Sequence, residues 1–345
     1  MQPKLLSLVC TVFLGLLVDD GLRSLAEARE FRLGTAVSMM PFRRDDQYKA
    51  ILAREFNVIV GENCFKFDAI HPQRDRYEFR DADALVEFAS ANKMKIRGHT
   101  LIWHNQLPEW LKEGNLTRDE AIAALTNHIE TVMGRYKGKI WAWDVVNEAI
   151  DQAGDPQHFR EDSFWYKAIG PEYVTIAFEV ARKADPGARL YYNDFDNEAK
   201  DEKSDAVYRL VSELNQRKLV DGVGWQMHIS NAFKIGKEHR DNIRRLAALG
   251  LEVSITELDV RLKLPANRDA LAKQARTYGD VMRFCLSEPN CKAIVLWGFT
   301  DMYSWVPQTF RGEGDALIFD RDYAPKPAYG AIRESLSKLT PGLSR

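Results

Sequence analysis

Eight short apolar runs, each followed by a stretch with helical periodicity, set the limits on what this chain can become. They are Arg32–Ala36, Val58–Gly61, Lys95–Leu101, Ile140–Val146, Arg189–Asn193, Gly222–Met227, Leu251–Thr256 and Ala293–Gly298. Runs of this length and apolarity suit strands covered on both faces, as in a parallel sheet under helices. The intervening stretches carry helix start signals. Thr117-Arg-Asp-Glu120 forms a capping box ahead of Ile122, Leu125, Ile129, Val132 and Tyr136, spaced by threes and fours. Asp81 is expected to cap a helix that turns Leu85, Phe88 and Ala89 to one side. Pro171 is expected to open another helix at its first position, and Pro327 the last one. Repeated strand–helix alternation of this regularity predicts an α/β fold, a closed (β/α)₈ TIM barrel. An open doubly wound sheet is the alternative, but no glycine-rich phosphate loop follows the first run.

The N-terminus reads as a leader rather than as fold. Lys4 supplies positive charge and Leu5 to Val18 is nearly unbroken apolar sequence. That length fits a signal-peptide core and falls short of the roughly 20 residues needed to span a bilayer. Ala26-Glu-Ala28 offers a small-x-small cleavage pattern, so residues 1–28 are expected to be a signal peptide. No linker, repeat or low-complexity run follows, and one catalytic domain is expected over residues 29–345. The mature protein is expected outside the cytoplasm, secreted or periplasmic. The formal net charge of −2 gives no reason to expect nucleic acid or an anionic membrane as partner. A monomer without cofactor is expected. Cys10 would leave with the leader, while Cys285 and Cys291 flank the turn Glu288-Pro-Asn290 and are expected to pair as a disulfide. Cys64 is then a buried free thiol. His99 and His104 lack a convergent third ligand, so no metal site is expected.

In a barrel, function sits at the C-terminal ends of the strands. Those ends carry Glu62 and Asn63, then His99 and Trp103, then Asn147 and Glu148. Asn193 and Asp194 follow on the fifth, Gln226 and His228 on the sixth, Glu257 and Asp259 on the seventh, and Trp297 on the eighth. Polar or aromatic residues at seven separate strand ends form a constellation. Two of them, Glu148 and Glu257, are carboxylates at strand ends, expected to be held rigidly and to face a cleft, and such a pair suggests glycosidic bond cleavage.

Six stretches occur in order, with one on almost every strand: Gly61-Glu-Asn-Cys-Phe-Lys66, Arg97-Gly-His-Thr-Leu-Ile-Trp-His104, Trp143-Asp-Val-Val-Asn-Glu-Ala149, Gly224-Trp-Gln-Met-His228, Ile255-Thr-Glu-Leu-Asp259 and Leu296-Trp-Gly298. Tyr323-Ala-Pro-Lys-Pro-Ala-Tyr329 leads into the last helix. With these, residues 31–340 resemble glycoside hydrolase family ten, the endo-1,4-β-xylanases. The resemblance implies that Glu148 is the acid/base and Glu257 the nucleophile of a retaining enzyme acting on xylan. It implies that His228 and Asp259 form a hydrogen-bonded chain to the nucleophile, and that Asn147 holds the sugar 2-hydroxyl. Glu62, Asn63 and Lys66 would bind the sugar two places toward the non-reducing end. His99, Trp103 and Gln226 would surround the sugar being cleaved, with Trp297 and Trp305 as its aromatic walls.

Some positions depart from that family's pattern. Phe67 stands where Trp is common, and Val306 where Arg is common. Asn193-Asp-Phe-Asp196 replaces Asn-Asp-Tyr-Asn, so Phe195 can stack on a sugar without donating a hydrogen bond. These departures are expected to alter subsites around the cut. A related barrel endo-β-glucanase and a non-catalytic sugar-binding protein are the competing readings. His228 and Asp259 argue against the second, since an orienting chain has no use behind a nucleophile that does nothing.

Overall fold

The computed structural model describes residues 21–151 and 159–338. The strands are β1 (Arg32–Val37), β2 (Val58–Gly61), β3 (Lys95–Trp103), β4 (Ala142–Asn147), β5 (Arg189–Asp194), β6 (Gly222–Trp225), β7 (His228–Ser230), β8 (Glu252–Lys263) and β9 (Cys291–Leu296), with a two-residue strand, Glu313–Gly314, antiparallel to the end of β8. Of β1 to β9, all but β7 join one parallel sheet, in which β1 pairs with both β2 and β9 while β9 also pairs with β8. The sheet is therefore a closed eight-stranded barrel, with helices between the strands.

Side chains alternate across these strands, one toward the axis and the next toward the helices. In β4, Trp143 packs outward, and Gly98 opposite makes room for it. A Cβ on Gly98 would fall 2.1 Å from the Trp143 ring. Asp144, one step on, is buried and ion-paired with Arg97, whose guanidinium lies over the Tyr191 ring at 4.4 Å.

Three elements differ from the sequence expectation. The sixth run breaks: Met227 takes φ 60, which ends extended chain, and β7 restarts at His228 in register with Asp259 of β8. Asp81 does not cap its helix, which spans Arg80–Ala91 with Phe79 at the cap. Asp81 sits in the first turn, where its charge faces the positive end of the helix and pairs with Arg43. Pro171 lies in the turn ahead of helix Tyr173–Ala184, whose cap is Glu172. The capping box at Thr117 and the opening of the last helix at Pro327 are present as expected.

The domain begins earlier than residue 29. Helix Leu22–Glu27 packs on the barrel base with Leu22 and Ala26 fully buried. Leu22 N–H donates to Glu55 Oε2 at 2.8 Å, and Arg23 donates to the Asn92 carbonyl at 2.9 Å. Cleavage after Ala28 would remove this buried helix. The remainder of the expected leader, residues 1–20, is outside the described residues.

Cys285, near the end of helix Arg268–Ser287, is bonded to Cys291 at the start of β9 with a Cα–Cα distance of 5.2 Å. Cys64 is free and buried. Among the described residues, no helix is long and apolar enough to cross a membrane, and no cluster of three or more His, Cys, Asp or Glu side chains is placed to hold a metal ion.

Candidate active site

Glu257 and Asp259 lie two apart on β8 and so share a face. Glu257 Oε1 accepts from Asn193 Nδ2 at 2.8 Å, and its Oε2 lies 3.2 Å from His228 Nε2. His228 Nδ1 is 2.8 Å from Asp259 Oδ2. Burial by itself would strip the His228 proton. The charge and hydrogen bond of Asp259, then those of Glu257, outweigh burial and raise its pKa to about 10. His228 is thus an imidazolium donating from both nitrogens. Burial likewise opposes the charged form of Glu257, but the field of His99 and the hydrogen bonds from His228 and Asn193 hold its pKa below the usual carboxylate value. His99 has its own carboxylate, with Nδ1 3.0 Å from Asp144 Oδ2.

Glu148 follows β4 directly and takes φ 57. Its Oε2 accepts from Trp103 Nε1 at 2.8 Å; its Oε1 accepts from Gln226 Nε2 at 2.9 Å and Asn147 Nδ2 at 3.0 Å. Asn147 Oδ1 in turn accepts from Asn193 Nδ2 at 2.8 Å. An amide relay, Gln226–Asn147–Asn193, therefore joins the two carboxylates.

To one side, Lys66 Nζ donates to Asn63 Oδ1 at 3.0 Å and Gln106 Oε1 at 2.8 Å, and lies 4.8 Å from the centre of the Trp103 ring. Burial lowers the Lys66 pKa, with the charges of Glu257, Glu62 and Glu148 opposing it, and burial raises that of Glu62. Trp297 meets the His99 ring edge-on at 5.2 Å. A cleft of about 290 Å³ is walled by all the expected site residues except Asn193, Asp194, Asp259 and Phe195. Asp259 stands behind His228, and Phe195 lies outside the wall with Lys203 Nζ 3.5 Å over its ring. Gln106 belongs to the wall and was not anticipated; its only sequence signal is its place two residues past His104.

The departures act elsewhere than expected. Phe67 is buried under the Lys66 loop, its ring stacked on His128 at 3.7 Å and on His71 at 5.3 Å. Val306 is fully buried against Ala316 and Leu317. Neither lines the cleft. Asp196 is exposed and lines a second cavity of about 470 Å³ together with Asp151, three residues beyond Glu148.

A closed barrel that presents two buried carboxylates at its strand ends, one backed by a carboxylate–imidazolium pair, defines a glycoside hydrolase. Comparison places the chain within that class: the model of glycosyl hydrolase family 10 matches residues 21–335, and the chain belongs to that family. Endo-1,4-beta-xylanase B of Thermotoga neapolitana is 43% identical over 324 residues, covering 93% of this chain and 92% of that protein. Endo-1,4-beta-xylanase 1 of Humicola insolens is 41% identical, covering 88% and 71%. The crystal structure of native xylanase 10B from Thermotoga maritima superposes with a TM-score of 0.88 at 45% identity, covering 92% of this chain and 98% of that one.

Proposed function

We propose that this protein is an exported, retaining endo-1,4-β-xylanase that cuts internal bonds of xylan by double displacement. The unequal surroundings of the two glutamates carry the reading. Glu257 faces an imidazolium that keeps it ionised, as a nucleophile needs. The groups donating to Glu148 are an indole and two amides, all neutral, so no cation is bonded to it as one is to Glu257.

In the first step a Glu257 oxygen attacks the anomeric carbon. The bond to the leaving oxygen breaks as Glu148 gives that oxygen its proton. In the second step Glu148 takes a proton from water, whose oxygen displaces Glu257 from the same carbon. Two inversions leave the configuration as it began. Asn147 sits between the carboxylates, where its amide can meet the 2-hydroxyl of the sugar under attack. Lys66, Asn63 and Glu62 hold the next sugar toward the non-reducing end, and Trp297 and Trp305 wall the cleft.

Residues 1–20 serve in this reading as the leader, and the enzyme works outside the cytoplasm as a monomer. Its partner is the polysaccharide, not nucleic acid or membrane. The test is proton NMR of xylo-oligosaccharide hydrolysis at early times. The β-anomer should appear first. An initial α-anomer would overturn the double displacement, and no hydrolysis of xylan would overturn the activity.

A further inference from the structure

The turn that carries Glu148 is held by groups the mechanism does not use. Glu148 lies in the left-handed region, where a non-glycine residue stays only if its surroundings fix it. Its N–H donates to the Asn193 carbonyl at 2.9 Å, the last tie to β5. The next two N–H groups, of Ala149 and Ile150, have left the sheet. Both donate to the Tyr192 hydroxyl, at 3.0 and 3.1 Å.

A phenol oxygen can accept two hydrogen bonds while donating one. Tyr192 uses all three, because its own proton goes to Asp194 Oδ2. An ionised carboxylate only accepts, so Asp194 compels the hydroxyl to turn its lone pairs toward the two amides. Lys203 Nζ, 2.9 Å from Asp194 Oδ1, supplies the charge that favours ionisation. Burial pushes the Asp194 pKa up to about 6, with Lys203 opposing the rise and the charge of Glu148 adding to it. Tyr192 and Asp194 alternate with Asn193, which points the other way to Glu257. One strand thus serves both carboxylates, one from each face.

We propose that Tyr192 and Asp194 are positioning residues for the acid step, holding the left-handed turn that aims the Glu148 carboxyl at the leaving oxygen. This rests on the reading of Glu148 as the acid. Neither residue touches substrate. A misplaced acid slows only those reactions that need its proton.

The experiment compares kcat/KM of Tyr192→Phe and wild type on two substrates, xylotetraose and dinitrophenyl xylobioside. The second has a leaving group that departs without a proton. The expected result is a loss of about tenfold to a hundredfold on xylotetraose and of less than about twofold on the aryl glycoside. Equal losses on both substrates would mean a general structural role and overturn the proposal, as would no loss on either. Asp194→Asn, which preserves shape, should show the same imbalance at smaller size, and stands in if Tyr192→Phe does not fold. Glu148→Ala, run beside them, tests the premise separately. It should spare kcat/KM on the aryl glycoside, and equal loss there would overturn the acid assignment together with the proposal.

Discussion

Trp305 donates its indole N–H to Asp259 across 2.8 Å, onto the same Oδ2 that His228 Nδ1 contacts. The aromatic wall and the charge chain behind the nucleophile are therefore one unit. Asp259 is fully buried, and without the Trp305 N–H its Oδ2 keeps His228 as its one remaining donor. Replacing Trp305 changes the cleft and the charge chain together.

Trp305→Phe separates these effects, because it keeps an aromatic wall and removes the N–H. It should lower kcat/KM on xylan by about tenfold, the worth of one charge-assisted hydrogen bond. Because the fault lies behind Glu257, an aryl glycoside should lose as much. Steady-state kinetics on both substrates read this, and a variant with wild-type rates would show that the bond does not matter.

Most of the barrel and the cleft was legible in the sequence for a local reason. A strand buried on both faces announces itself by composition, and parallel pairing then fixes which residue leaves the sheet at the top. Glu148, Glu257 and their partners were reached in that way. What escaped depends on contacts distant in the chain. The turn at Met227 that realigns His228 with Asp259 has no glycine to mark it. Helix Leu22–Glu27 looks like leader sequence until Glu55 and Asn92 are seen to receive it. Phe67 and Val306 follow binding residues in sequence, yet the chain turns their side chains into the core.

The pH profile should show the charge chain. Glu257 must be ionised to attack, and its pKa is held below 4.5, so the acid limb of kcat/KM should lie below the ordinary carboxylate range. In Asp259→Asn, His228 loses the carboxylate that raises its pKa and becomes neutral at lower pH. Glu257 then loses positive field, its pKa rises, and the acid limb should move upward. Stability should respond in the opposite window. The pKa of His228 is raised in the folded state, so its contribution is complete below 6.5 and is lost as pH climbs through about 10. Urea unfolding between those limits should show a decline in wild type that is smaller in Asp259→Asn. An acid limb that stays in place in the variant would show that the chain does not set the charge of Glu257.

The Cys285–Cys291 bond closes a short loop at the entry to β9, the strand that ends beside Trp297. Constraint of so small a loop should stabilise by about 2 kcal/mol. Cys285→Ser together with Cys291→Ser should therefore melt earlier while keeping its kcat, since neither sulfur reaches the cleft. Thiol titration of denatured, unreduced protein covering residues 21–345 should find one free thiol, Cys64. Three would refute the bond.

Substrate choice should favour β-1,4-xylan over cellulose, and the wall should decide it. Xylose and glucose units differ by one hydroxymethyl group, so a site can only exclude glucose by filling the space into which that group projects. Trp297 and Trp305 line the cleft together with Glu62, Asn63 and Lys66. Trp297 is fixed edge-on against His99 and Trp305 is bonded to Asp259, so neither can swing aside without breaking a contact. A wall so held can discriminate by more than the ~1–3 kcal/mol that a fitted pocket draws from one methylene. The measurement is the ratio of kcat/KM on xylo- and cello-oligosaccharides of equal length. Trp305→Phe should leave that ratio nearly unchanged, because the bond to Asp259 serves both sugars alike. Trp305→Ala opens the wall as well and should bring the ratio toward one. A wild-type ratio already at one, or a ratio that falls equally in both variants, would remove the wall as the basis of the choice.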